Sequence, residues 1–174
     1  GWVPDDAVHL SARMKHLAAD ADLLITSGGA SVGEEDHALA ALRQAGGQGE
    51  TLKIALKPGK PAVVGSIGSA AYLGLPGNPV SSLVSFELFA RPALRSMMGH
   101  PQLDRTRVQA VADAAFGRRP DGKTHFVRVV ASYRDGAVHI APVGGQGSHH
   151  LSAMASANAL ASRNAATIAW LRAA

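Results

Sequence analysis

Three lysines, Lys53, Lys57 and Lys60, bracket the rigid turn Pro58-Gly59-Lys60-Pro61, and a loop of small residues lies on either side of them in the chain. The first loop, Ser27-Gly28-Gly29-Ala30-Ser31-Val32-Gly33, follows the apolar run Leu23-Leu24-Ile25 and leads into Glu34, Glu35 and Asp36. The second, Pro76-Gly77-Asn78-Pro79, ends another apolar run at Leu75. Where a strand breaks into such a turn and restarts as a helix, backbone N–H groups surround an anion. In open α/β sheets these loops lie at the carboxyl ends of strands, where ligands bind. Ammonium groups near two such loops suit a polyanion, either a phosphate ester or an oxyanion. The plainer reading is an ordinary tight turn at Gly28-Gly29 and solvated lysines at the end of an edge strand. Lys53 and Lys57 are four apart, so on a straight strand both point to one face. Asp36 either caps its helix or holds a divalent cation beside a phosphate. Asp5 and Asp6, after Pro4, read as capping residues at a helix start.

Other reactive types are less informative. His149 and His150 are adjacent, so in an extended loop they point to opposite sides, and no carboxylate is near them in sequence. They read as loop residues, not metal ligands. Met97 and Met98 read as core filler, and Trp2 and Trp170 as packing residues or surface left uncovered. There is no cysteine, which removes disulfides and thiolate metal sites and suits a reducing compartment.

The 174 residues are 47% hydrophobic and 17% charged, a globular balance. No apolar run approaches a membrane span, and Gly1-Trp2-Val3-Pro4 is not a signal peptide. The chain lacks an initiator Met, which is the expectation for a fragment of a longer protein. The net charge of +4 sits almost wholly after residue 100. No run of Lys and Arg is interleaved with aromatics, which are only 5% of the chain, so nucleic-acid binding is not expected.

The elements that must position these groups follow from periodicity. Apolar residues at 7, 8, 10, 14, 17 and 18 give a helix over Asp5 to Ala19, and Glu34 to Gln44 gives a second that stops at Gly46-Gly47. Residues 50 to 57 read as one strand, and Ala62 to Ile67 and Ala70 to Leu75 as two more, joined at Gly68-Ser69. Asn78 as N-cap and Pro79 at the first helical position open a helix with the stripe Val80, Leu83, Val84, Leu88 and Phe89. Pro92 should kink or end it near Ala90. Strands alternating with helices indicate an α/β fold with a parallel sheet. Beyond Pro101, strands over Arg105 to Ala112 and Lys123 to Tyr133, and a hairpin at Arg134-Asp135-Gly136 into Ala137 to Pro142, form a small β module. The expected domains are therefore 1–100 and 101–174. The alanine-rich tail from Ala159 carries no clear period.

Three motifs occur in order and spacing: Ser27-Gly28-Gly29-Ala30-Ser31-Val32-Gly33-x-x-Asp36, Lys57-Pro58-Gly59-Lys60-Pro61, and Gly74-Leu75-Pro76-Gly77-Asn78-Pro79-Val80-Ser81. Together they resemble the molybdopterin molybdenumtransferase family, which includes bacterial MoeA and the E domains of its plant and gephyrin counterparts. Phe126-Val127-Arg128 and Gln146-Gly147-Ser148-His149 are similar to motifs of that family's C-terminal β domain. The resemblance covers about residues 1 to 160. It implies a three-layer, mostly parallel sheet with helices on both faces, the molybdenum-cofactor-biosynthesis fold, lacking its N-terminal strand and followed by a β-barrel-like domain.

It also implies an activity: molybdate enters the dithiolene of adenylylated molybdopterin (molybdopterin-AMP), AMP leaves, and Mg²⁺ assists. By motif, Ser27, Gly28, Gly29, Ser31, Gly33, Lys60, Gly77, Asn78 and Ser81 would bind the pterin phosphate or nucleotide. Asp5 and Asp36 match acidic positions for Mg²⁺ and adenylate cleavage, with Lys53 and Lys57 as catalytic cations. Lys57, Pro58, Ser81, Arg128 and Ser148 match molybdate positions. The attacking group, water or a molybdate oxygen, stays open. Ala30 stands where the family usually has Val, and two further N-terminal domains are absent before Gly1. The resemblance implies a cytoplasmic homodimer supplied by molybdopterin adenylyltransferase. The alternatives are an adenylyltransferase-like enzyme, a non-catalytic scaffold module, or an inactive fragment.

Overall fold

The computed structural model describes residues 1–4, 6–29, 37–116, 121–162 and 167–170. In chain order the elements are α1 (Ala7–Ala18), β1 (Leu23–Ser27), α2 (His37–Gln44), β2 (Gln48–Lys53), β3 (Leu56–Lys57), β4 (Pro61–Ile67), β5 (Ala70–Leu75) and α3 (Pro79–Ser85). A π-helical turn (Phe86–Ala90) and α4 (Arg91–Met97) follow, then β6 (Arg107–Gln109), β7 (Val111–Ala112), β8 (Thr124–Arg134), β9 (Ala137–Pro142), α5 (Leu151–Ser156), β10 (Ala159–Ser162) and β11 (Thr167–Trp170). The chain splits into two compact units, Gly1–Ile54 with Gly59–Ala90, and Ala55–Pro58 with Arg91–Ala174.

In the first unit Asp6 starts α1. Its carboxylate accepts from the N–H groups of Val8 and His9 at 3.0 and 2.9 Å, which satisfies two donors that a helix start leaves without partners. The hydrogen bond from His9 N–H is the main reason the carboxyl is held below its ordinary value. The sheet has the order β1-β5-β4-β2. Alternate residues feed two cores. Leu24, Val63 and Tyr72 pack with Met14, Ala38 and Leu42 of α1 and α2. Leu73 and Leu75, with Leu23 and Ile25, pack on the other face with Phe86, Phe89 and Ala90. Helices therefore cover both faces, and the α/β class stands.

The expectation of a mostly parallel sheet needs correction. Only β1 and β5 are parallel, while β5–β4 and β4–β2 are antiparallel. The cause is the connection between β4 and β5: two residues, Gly68-Ser69, can close a hairpin but cannot make the crossover a parallel pair needs. Gly68 takes the positive φ of 58° that this turn uses. The strand expected over residues 50 to 57 is also interrupted. β2 ends at Lys53, Ile54 N–H turns to Lys60 O at 2.9 Å, and β3 pairs with β8 instead.

Between β2 and β4, Gly49 faces Gly65 in register, and the side chain of the fully buried Leu42 lies against this pair. A Cβ at Gly65 would lie 2.2 Å from Gln48 O and 2.9 Å from Leu42 Cδ2. The glycines let α2 sit close to the sheet. Pro92 does not end its helix. The regular helix is instead interrupted near Ala90 by the widened π-helical turn, which ends two residues before Pro92 and contains Leu88, whose carbonyl, four residues back, a proline crowds and, having no N–H, cannot bond. Met97 and Met98 lie at the helix end and are 49% and 71% exposed, so they are not core filler. Trp2 is 87% exposed and does not pack.

The second unit is a β module around Val129, Ala131, Ile140, Ala159 and Ala161. Its sheet runs β6-β11-β10-β8-β9-β7, with β3 on β8. The edge strands β6 and β7 are separated in sequence only by Ala110, so one stretch of chain borders both ends of the sheet. That gives the barrel-like closure the resemblance implies. Asp135-Gly136, with φ of 50° and 77°, forms the two-residue β8–β9 turn. The tail that carried no period supplies β10 and β11.

Candidate functional site

Directions within the first sheet decide which loops share an edge. β1, β5 and β2 run one way and β4 the other. The carboxyl ends of β1, β5 and β2 and the amino end of β4 therefore fall together. The register is level, since Ser27 pairs Leu75, Val63 pairs Gly74 and Lys53 pairs Pro61. With neighbouring strands about 4.8 Å apart, the backbone at Lys53 lies roughly 14 Å from β1. This edge carries the Ser27–Gly29 loop, the Pro76–Asn78 loop, Lys53 and Lys60. Both lysines are exposed.

The two loops are tied to each other. Gly28 N–H donates to Leu75 O at 3.1 Å, one step past the β1–β5 ladder. Ser27 Oγ donates to Pro76 O at 3.3 Å and lies 2.9 Å from Ser82 Oγ. Because the Pro76 carbonyl can only accept, the proton order is Ser82 O–H to Ser27 Oγ, then Ser27 O–H to Pro76. A Cβ on Gly77 would come within 3.3 Å of Gly28 Cα, so both glycines serve the close approach. Behind them, Thr26 Oγ1 meets Tyr72 Oη at 2.7 Å. Asn78 holds the N-cap position ahead of Pro79, yet its side chain makes no capping hydrogen bond and is exposed. Ser81 is buried in the first turn of α3. Ser27, Gly28 and Gly29 also line one end of a cleft of about 570 Å³ that continues along Leu10, Met14 and Leu24.

The second unit holds the other predicted residues. Lys57 is exposed on β3, in register with His125 of β8, and is followed by Pro58 through a cis peptide bond. His125 Nε2 lies 2.7 Å from Asp121 Oδ1, and this hydrogen bond is the main reason the Asp121 carboxyl is held below its ordinary value. Arg128 is fully buried. Its Nη2 donates to Gly145 O at 2.8 Å and Gly147 O at 3.2 Å, so the guanidinium grips the loop that carries Ser148. His149 and His150 do not point apart. Residues 148–149 are a turn, and the two ring centroids are 4.2 Å from each other. Ring atoms of His150 lie where a Cβ on Gly145 would be, 2.2 Å from its Nδ1.

The predicted set is thus distributed over the units. Ser27, Gly28, Gly29, Lys53, Lys60, Gly77, Asn78 and Ser81 belong to the first, and Lys57, Pro58, Arg128 and Ser148 to the second. Asp5, Ser31, Gly33 and Asp36 lie outside the described residues. Among the described residues no three His, Asp or Glu side chains gather into a metal site. Sequence reasoning passed over Ser82 and Gln146. Ser82 stands next to a named residue, and Gln146 within a quoted motif, but their hydrogen bonds join segments far apart in the chain and no local spacing signals them.

Two families match the chain: "Probable molybdopterin binding domain" over residues 1–96 and "MoeA C-terminal region (domain IV)" over residues 111–167. Molybdopterin molybdenumtransferase 2 of Mycobacterium tuberculosis is 42% identical over 161 residues, covering 90% of this chain and 39% of that protein. Molybdopterin molybdenumtransferase of Haemophilus influenzae is 37% identical over 160 residues, covering 91% and 39%. A crystal structure of the molybdopterin biosynthesis MoeA protein from Pyrococcus horikoshii superposes with a TM-score of 0.75 at 21% identity, covering 100% of this chain and 43% of that one. The chain thus spans about two fifths of the length of the curated bacterial relatives. With the first family covering more than half its residues, this chain belongs to the molybdopterin-binding domain family, in the arrangement of the molybdopterin molybdenumtransferases.

Proposed function

We propose that this chain provides the ligand-binding part of a molybdopterin molybdenumtransferase, which inserts molybdate into adenylylated molybdopterin with release of AMP. The observation that carries the reading is the level edge of the first sheet, where two interlocked N–H-rich loops share a border with two exposed lysines. A phosphoanhydride wants donors along its oxygens and fixed positive charge nearby, placed before the reaction begins. Gly28 N–H is taken by Leu75 O, so the N–H groups of Gly29, Gly77 and Asn78, with the Asn78 side-chain amide, bind and orient the phosphate or nucleotide. Lys53 and Lys60 lower the cost of charge building on it. In the second unit, Lys57, Pro58 and the Arg128-held Ser148 loop serve the molybdate oxyanion.

The rest of the reading rests on family likeness alone: Mg²⁺ at Asp5 and Asp36, a homodimer, an upstream molybdopterin adenylyltransferase and a cytoplasmic setting. The division into domains 1–100 and 101–174 belongs to the same proposal. Among the described residues no helix is long and apolar enough to cross a membrane. The test is calorimetric titration of the chain with adenylylated molybdopterin. Binding that weakens with salt and with Lys53→Glu supports the proposal. A folded chain that does not bind sinks it.

A further inference from the structure

The side chain of Gln146 makes three hydrogen bonds in the second unit. Its Oε1 accepts from Arg128 N–H at 3.0 Å, and its Nε2 donates to Arg128 O at 3.0 Å and Val143 O at 2.6 Å. A side-chain amide that both accepts from and donates to one residue's backbone imitates a neighbouring strand. It does so just where β9 has ended at Pro142 and Val143 N–H makes its bond to Arg128 O at 3.0 Å. Arg128 returns the grip. Its guanidinium bonds the carbonyls of Gly145 and Gly147, the residues on either side of Gln146. Gly147 O also accepts from His150 N–H at 3.2 Å, which closes the turn containing Ser148. The lock is reciprocal, with each residue's side chain holding the backbone at or beside the other.

The geometry points to Gln146 as the positioning residue of the Gly145–Ser148 turn, setting the loop shape on which oxyanion binding at Ser148 depends. This rests on the molybdate reading of that loop. Gln146 touches no substrate in this scheme and acts through Arg128 and the turn. An amide is required, because the site asks for one acceptor and two donated hydrogen bonds from a single side chain. A glutamate would set a carboxylate against the carbonyls of Arg128 and Val143, and a leucine would leave Arg128 N–H without its acceptor.

The experiment is titration of molybdate into the chain and into Gln146→Leu, Arg128→Lys and the double variant, well below each melting temperature. Adenylylated molybdopterin titrated into the same samples is the control. Gln146→Leu should weaken molybdate binding about tenfold, as removal of a partner behind a ligand does. Adenylate binding should stay within twofold. The double variant should lose little more than the worse single variant, since both residues act through one turn. Molybdate affinity unchanged in Gln146→Leu, or losses that multiply in the double variant, would overturn the positioning role alone. Equal loss of both ligands would mark a merely structural residue and overturn it too. Absence of molybdate binding by the unaltered chain would take down the oxyanion reading of the loop, and this inference with it.

Discussion

Gly65→Ala tests whether the sheet edge owes its shape to the glycine contact beneath α2. The added Cβ would lie 2.2 Å from Gln48 O, where ordinary contact begins at 3.4 Å, so β2 and β4 must part by about 1.2 Å. The nearest obstacle is backbone, which cannot turn aside as a side chain can. Ladder bonds near 2.9 Å do not survive such a shift. Overpacking of this kind costs about 1–3 kcal/mol, and each lost ladder bond adds about 1 kcal/mol. A total near 3 kcal/mol lowers the melting temperature of a chain this long by roughly 6–12 °C. Thermal unfolding followed by circular dichroism reads the shift, and hydrogen exchange should locate it at Gln48–Lys53. Leu42→Ala should not rescue the variant, although Leu42 Cδ2 is 2.9 Å from the new Cβ, because the Gln48 clash remains. Melting within 1 °C of the unaltered chain, or full rescue by Leu42→Ala, would refute the reasoning.

Asn78→Ala should leave the melting temperature within about 1 °C, because the side chain makes no capping bond, whereas losing a working cap costs about 1 kcal/mol. The same variant should weaken adenylate binding severalfold, so calorimetry and melting must disagree. Ser82→Ala removes the donor to Ser27 and should cost about 0.5–1 kcal/mol, read in denaturant titration. Ser27→Ala should add nothing beyond the Pro76 bond when combined with it. Acid should act on the second unit through Asp113 and Asp121. Asp113 accepts from His139 at 2.8 Å and from Arg134, and the His139 bond is the main cause of its lowered pKa. For both carboxyls the folded value lies below the ordinary 3.8, so their stabilisation is complete above that value and is lost as pH falls through the folded one. Asp113→Asn should flatten the loss of stability below about pH 4, measured by denaturant midpoints across pH.

Local chemistry was readable from the chain; pairing partners were less so. Asp135-Gly136 announced its hairpin, and Leu75-Pro76-Gly77-Asn78-Pro79 its strand-to-helix turn, because backbone conformations there belong to particular residue types. Gly68-Ser69 held the correction to the sheet as well: a two-residue link between strands excludes a parallel pair. The break after Lys53 left no mark, since β2 ends on Leu52-Lys53 and β3 is again a Leu-Lys pair, and the two are told apart only by their distant partners, β4 and β8. β10 carried no alternation because Ala159, Leu160 and Ala161 are all buried, so successive residues on opposite faces are equally apolar. The two small-residue loops were legible as neighbours on one edge of the sheet. Their interlock through Ser82, and the burial of Arg128 behind the Ser148 loop, depend on contacts 17 to 55 residues apart.

The central claim is that the edge formed by β1 and β5 binds the adenylated ligand. Amide chemical shifts of the isotope-labelled chain, recorded while adenylylated molybdopterin is added, test it most directly. The account predicts the largest saturable changes at Gly28, Gly29, Gly77 and Asn78, with Lys53 and Lys60 following. Changes centred elsewhere in a folded chain, with those residues unmoved at saturation, would contradict it.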